Sequence, residues 1–295
     1  MERQKKDNQV GEIMTTHETE KGFTLIELSI VLVIIGLIVG GILVGQDLIK
    51  AAEVRATVGQ IEKYNTAVNT FRTKYNGVPG DLTSDLASSF GLQARAGTLG
   101  RGDGNGLIEG VSGGTTKINS TFTQEAGLLW NDLSVSNLLD GQYSQNAANQ
   151  DAAAPVAVAA ASVVSVFPPA RLGRGNYVTS GSTSSINYWV ITGIGGVTVT
   201  TGIYTVTTNL TPIEVYNMDV KLDDGMPLTG VVQAVARAGA ASTTPLIDPP
   251  TSAVAATSGN CIMGDAPGTA TTDTYNRSLT AGGNVPACVA RFRFN

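Results

Sequence analysis

Between Leu28 and Val44 every residue is apolar or glycine except Ser29. About 20 such residues, rising 1.5 Å each, are what a helix needs to cross the hydrocarbon of a bilayer. A membrane segment is therefore the strongest constraint on this chain. Glu27 stands at the outer edge of the run. An ionised side chain costs roughly 2.5–3.5 kcal/mol or more if it reaches the lipid centre, and such residues usually mark function. A buried carboxylate is tolerated only when paired, so Glu27 calls for a cationic partner.

The flanks are unusual for a secretory signal, which places its small-residue cut site after the apolar core. Here no Ala-x-Ala-like site follows the core; the small residue next to charge is Gly22, in front of it, after Lys21. A cut there would leave Phe23 as a new N-terminus with the apolar helix still attached. An uncleaved signal anchor with a stray acid at its mouth is the plainer alternative.

Gly22-Phe23-Thr24-Leu25-Ile26-Glu27 followed by the apolar run resembles the class III signal of type IV pilins and of the pseudopilins of type II secretion. The resemblance implies that a prepilin peptidase cleaves between Gly22 and Phe23 and methylates the Phe23 amine. It also implies that Glu27 pairs with the Phe23 amine of a neighbouring subunit during assembly. The chemistry is consistent, because an α-amino group is largely cationic at neutral pH.

Residues 1–22 read as a polar leader, with Arg3, Lys5, Lys6 and Lys21 against Glu2, Asp7, Glu12, Glu18 and Glu20, and no apolar periodicity. Lys21 beside the span places the leader in the cytoplasm and the body outside it. Without the leader the chain keeps 15 basic and 19 acidic residues, a modestly acidic body that is not built as a nucleic-acid clamp. The sole histidine, His17, lies in the leader. A trimmed chain thus has no histidine triad, no histidine base and no histidine-ligated zinc, and an enzyme is not expected.

Beyond the span, Val54, Val58, Ile61, Tyr64, Val68, Phe71 and Tyr75 recur at steps of three and four, the stripe of an amphipathic helix. No proline interrupts Phe23 to Tyr75, so one helix of 53 residues is expected, ended by Asn76-Gly77 and Pro79. Residues 23–45 form its membrane and filament-core part and 46–76 its amphipathic continuation. A coiled-coil stalk would want heptads throughout, yet the span carries Gly36, Gly40, Gly41 and Gly45, small residues that let membrane helices approach closely. Type IV pilins usually have a proline where this chain has Val44, and the glycines are expected to supply any loosening of the helix there.

Residues 77–295 are long enough for one α+β head. Pro79 to Lys117 is glycine-rich and reads as loop or short turns; Thr123 to Asp140 reads as a helix with Trp130 in the core; Asn146 to Val166 reads as an alanine-rich surface insertion. Strand signals cover Asn187–Thr192 and Gly196–Thr208, the latter broken into a hairpin at Gly202. Thr211-Pro212-Ile213-Glu214 is a capping box opening a helix that ends at Asp224-Gly225. Gly230–Arg237 and Cys288–Phe294 follow as strands, with Arg291 and Arg293 on one face expected to be solvated or paired. The stretch from Thr211 to the end is similar to the heads of some pilin-like proteins.

Cys261 and Cys288 are the only cysteines, an even count in a part expected outside the cytoplasm, where disulfides persist. A bridge would enclose 26 residues; two buried thiols are the other possibility. Asp103, Asn105, Gly106 and Ile108 partly match a calcium loop, but Arg101 and Ser112 stand where the first and last acidic ligands belong. Asp223-Asp224-Gly225 is a further acidic turn. No cofactor is expected, with calcium at Asp103 and Asn105 the one candidate.

The expectation is therefore an α+β protein whose long N-terminal helix packs on a mainly antiparallel sheet, and a structural subunit of a pilus-like filament. Its expected partners are copies of itself and other pilins, prepilin peptidase, an inner-membrane assembly platform, and membrane lipid before assembly. It would sit in the inner membrane with a periplasmic head before joining a surface pilus or periplasmic pseudopilus. The alternatives are a secretion pseudopilin or a scarce minor pilin with an adhesive or DNA-binding head.

Overall fold

A computed structural model describes residues 22, 24–95, 97, 101–109, 124–143, 160–198, 203–236, 261–263, 274–277 and 285–294. The chain divides into two units, Met1–Ile49 and Lys50–Asn295. In the first, the described residues are the opening of helix α1 (Leu25–Tyr75), and every large apolar side chain from Leu25 to Ile49 is exposed.

In the second unit α1 continues, and the sequence stripe becomes its buried face. Val54, Ile61, Tyr64, Val68, Phe71 and Tyr75 are buried and Val58 is half-buried. Asn76 adopts a left-handed φ of 55° and donates its N–H to the Arg72 carbonyl at 2.9 Å, the terminator read from Asn76-Gly77. Helix α1 thus spans 51 residues, starting two residues later than expected.

The head holds α2 (Ser84–Ser89), α3 (Gln124–Val135), a 3-10 turn (Ala160–Ser165), β1 (Asn176–Thr183), β2 (Ile186–Thr198) and β3 (Ile203–Thr207), then α4 (Pro212–Leu222) and β4 (Val232–Ala236). The short strands β5 (Ile262–Met263) and β6 (Thr274–Tyr275) pair with each other, and β7 (Cys288–Phe294) closes the chain. The main sheet is antiparallel in the order β1-β2-β7-β4, with β3 paired to the second half of β2. The expected α+β class holds.

An aromatic cluster joins the helix to the sheet. Tyr64 of α1 lies 5.1 Å from Trp130 of α3 and 5.6 Å from Trp189 of β2, and Trp189 stacks on Phe294 of β7 at 4.1 Å. The Trp189 indole N–H donates to Asn65 Oδ1 at 2.7 Å, which satisfies its one polar atom.

Several local expectations are corrected. The glycine-rich stretch after Pro79 contains α2, and the helix around Trp130 stops at Val135, with turns to Asp140. The described end of the alanine-rich stretch is only partly at the surface: Val163 and Val166 are buried and Val164 is exposed, while 146–159 lies outside the described residues. β2 runs unbroken through Gly193, with a register shift between Ile194 and Gly196 where two strands were expected. Its partner β3 supplies the expected hairpin, whose connection, 199–202, is outside the described residues. β7 sits between β2 and β4, so both of its edges are hydrogen-bonded. Arg291 is buried; its Nε donates to Gln233 Oε1 at 2.7 Å and its guanidinium lies over the Tyr188 ring at 4.6 Å, whereas Arg293 is exposed.

Candidate functional site

The first turn of α1 is closed by its own side chains. Thr24 donates both its backbone N–H and its hydroxyl to Glu27 Oε2, each at 2.8 Å, and the Glu27 N–H donates to Thr24 Oγ1 at 3.3 Å. This is a reciprocal capping box on N–H groups that have no partner within a helix. Thr24-x-x-Glu27 was legible in the sequence but was not read as a cap. Gly22 is exposed with open space around its α-carbon, while residues 1–21, His17 among them, and Phe23 lie outside the described residues.

Past that turn, α1 contains an 18-residue window of mean hydropathy 2.9 with none of it buried. Fully burying one Leu, Ile or Val contributes about 1.5–3 kcal/mol. More than a dozen such side chains are exposed here, from Leu25 at 88% to Ile49 at 60%. A surface of this kind needs lipid or other apolar helices around it.

The acidic residues of the head form two clusters. In the first, carboxylate oxygens of Asp81, Asp103 and Glu125 lie within 4.8 Å of one another. Asp81 accepts from the Gly104 N–H at 2.8 Å and the Gly106 N–H at 2.6 Å; Glu125 accepts from the Gly102 and Glu109 N–H groups, both at 2.7 Å. Loop 101–109 is thus pinned at both ends by buried carboxylates. Burial pushes Asp81 up to about 7 and, with the neighbouring Asp81 charge, pushes Glu125 up to about 9. Three oxygen donors so close could take a hard cation such as calcium.

The calcium pattern read from the sequence is only partly assembled. Asp103 joins the cluster, but the Asn105 carbonyl accepts from the Leu107 N–H at 2.7 Å and its amide donates to Asp103 at 3.1 Å and Glu109 at 3.3 Å. Asp81 and Glu125, from outside the loop, were missed; no local spacing links them to Asp103.

The second cluster is Asp219, Asp223 and Asp224. Asp219 accepts from the Tyr275 hydroxyl at 2.7 Å and the Gly225 N–H at 3.1 Å, and Asp224 accepts from the Met226 N–H and the Thr229 hydroxyl at 2.8 and 2.7 Å. Asp223 accepts from the Val231 N–H. These carboxylates hold the α4–β4 connection together, and burial pushes Asp219 up to about 6.

Cys261 and Cys288 form a disulfide with their α-carbons 5.0 Å apart, joining the residue before β5 to the first residue of β7. Arg95 and Asp132 form a fully buried ion pair, and Asp132 also accepts from the Gly80 N–H at 2.7 Å.

Residues 19–43 match the family model described as the prokaryotic N-terminal methylation motif. No curated protein and no solved structure matches the chain. The motif covers Gly22 and Phe23, the capping acid Glu27 and most of the exposed apolar helix, and so the chain carries the N-terminal signal of type IV pilins and pseudopilins.

Proposed function

We propose that this chain is a structural subunit of a type IV pilus-like filament, processed between Gly22 and Phe23, methylated on Phe23 and polymerised through α1. In this reading the span first anchors the subunit in the inner membrane, leader inside and head outside. Residues 23–45 then exchange lipid for the same helices of other copies. Glu27 leaves its Thr24 cap to pair with the Phe23 amine of a neighbour, so that its charge enters the apolar core neutralised. The pseudopilus of type II secretion is the narrower variant of the same reading.

The observation that carries the proposal is the match at residues 19–43 joined to a helix whose apolar first half is wholly exposed. The chemistry in the head supports a structural role: its buried acids hold backbone N–H groups, a hydroxyl and an arginine. Mass spectrometry of the protein extracted from membranes tests the reading, with a methylated Phe23 terminus expected. A chain still bearing residues 1–22 would overturn it.

A further inference from the structure

The outer edges of the main sheet, at β1 and at β4, are tied to the chain's own loops. Along β1, the Val178 N–H donates to the Pro168 carbonyl and the Ala170 N–H to the Asn176 carbonyl, both at 2.9 Å. Along β4, the Ala234 N–H donates to the Pro227 carbonyl at 2.7 Å, and Asp223 accepts from the Val231 N–H. An open strand edge is a template for pairing with another chain, so proteins cover such edges or arm them with charge and proline.

The far end of β2 is treated differently. β2 is 13 residues long, and β1 follows it only as far as Gly193. The last tie on that edge is the Ile194 N–H to the Gly175 carbonyl at 3.2 Å. Gly193 pairs with Asn176 of β1 and with Thr207 of β3, so β3 lies along the opposite edge of β2. Beyond Gly193 the two strands therefore run on as a two-stranded ribbon. Among the described residues, no strand lies beside the β1-side edge of residues 195–198 or beside the outer edge of β3. Neither charge nor proline guards this ribbon, since the 25 residues from 186 to 210 contain none. Two strands alone are marginally stable in water, and a third is what secures them.

We propose that this ribbon pairs with the ribbon of a second copy of the chain, the outer edge of β3 in one copy lying against residues 195–198 of β2 in the next. The inference rests on the filament reading above and adds a contact between heads to it. The complement is present in the same chain, because the two open edges lie on opposite sides of one ribbon. β2 and β3 are antiparallel, so two copies in the same orientation set β3 of the first antiparallel to β2 of the second, in the order β2-β3-β2-β3. That contact is heterologous and propagates as an open array instead of closing a dimer. With no charge on either edge the copies meet without like-charge repulsion, whereas anionic lipid and nucleic acid find no cation there to hold.

The test uses the full-length chain in cells that assemble it. Val197→Lys combined with Thr205→Lys arms both strands with charge and should lower the yield of sheared filaments about tenfold, with membrane insertion as in the parent. Val197→Thr combined with Thr205→Val adds no charge and should keep the parent's yield. A photo-crosslinking phenylalanine analogue at position 204 should join two copies in intact filaments, through a peptide of the second that holds residues 195–198. Parental yield from the lysine variant, equal losses from both variants, or crosslinks only to other parts of a second copy, to another protein or to lipid would overturn the contact while leaving the filament reading standing. If the unaltered chain makes no filaments, the filament reading fails and this contact falls with it.

Discussion

The two stretches of α1 share a backbone and little else. From Leu25 to Ile49 large apolar side chains are exposed all round the helix, and nothing among the described residues covers them. From Lys50 to Tyr75 apolar side chains occupy one stripe, buried in the head, and the rest of the surface is polar and basic. The first stretch therefore lacks part of its environment, which lipid or other apolar helices must supply, while the apolar stripe of the second is covered by the head. Substitutions in the first should change assembly and leave head stability alone; those on the buried stripe of the second should change head stability.

The largest expected effect is at Glu27. Glu27→Ala removes the acid that would neutralise a neighbour's amine and should abolish filaments or make them irregular. Insertion and the head's unfolding temperature should be unchanged, read by membrane fractionation, electron microscopy and thermal unfolding in detergent. Wild-type filament yield from this variant would break the division between the two stretches.

Next comes Trp189→Ala, at the meeting point of Tyr64, Trp130 and Phe294. It deletes a fully buried aromatic and orphans Asn65 Oδ1, and should cost the head about 3–5 kcal/mol with insertion intact. Chemical denaturation of the detergent-extracted protein measures it.

The same division explains what the sequence disclosed. Long periodic stretches carry their signal in themselves, so the apolar run, the α1 stripe, its Asn76 stop and the Thr211 cap were all legible. β1 was not. Asn176–Thr183 has only Tyr177 and Val178 among Asn, Ser, Thr and Gly, yet is almost wholly buried, pairing with β2 along all eight residues. Its turn into β2 uses Ser184 and Ser185, with φ of 50° and 60°, where Asn-Gly would have announced a hairpin. The Asp81–Asp103–Glu125 cluster was hidden for another reason: its members come from three segments that only the fold brings together.

Removing the disulfide should cost on the order of 3 kcal/mol by the loop-entropy model. Cys288→Ser acts where β7 starts, between β4 and the Leu210 carbonyl, so unfolding should shift while the span behaves as before. A smaller effect is expected from pH. Asp81 and Glu125 hold their protons more tightly folded than unfolded, up to about 7 and about 9 against ordinary values of 3.8 and 4.5. The stability they contribute is fully present below about pH 4. It is lost as pH rises through 7 and then 9. The unfolding temperature should fall between pH 5 and pH 9, and Glu125→Gln should flatten the upper part of that fall. Calcium added at pH 8 that restored the parent and not the variant would assign the neutralisation to a cation.

The smallest effect makes the sharpest comparison, because one motif occurs in both regions. Thr24 with Glu27 and Thr211 with Glu214 are reciprocal capping boxes, the first exposed and the second buried at the start of α4. Replacing an N-cap threonine by alanine typically costs about 1 kcal/mol. Thr211→Ala should show that loss in the head's unfolding, since α4 packs Val215 and Met218 into the core and presents Asp219 to Tyr275. Thr24→Ala should leave the head's unfolding where it was, because the bonds it removes are local to the first turn of α1. Equal shifts from the two variants would mean that the exposed end of α1 is coupled to the head after all, and that the two stretches cannot be treated as separate.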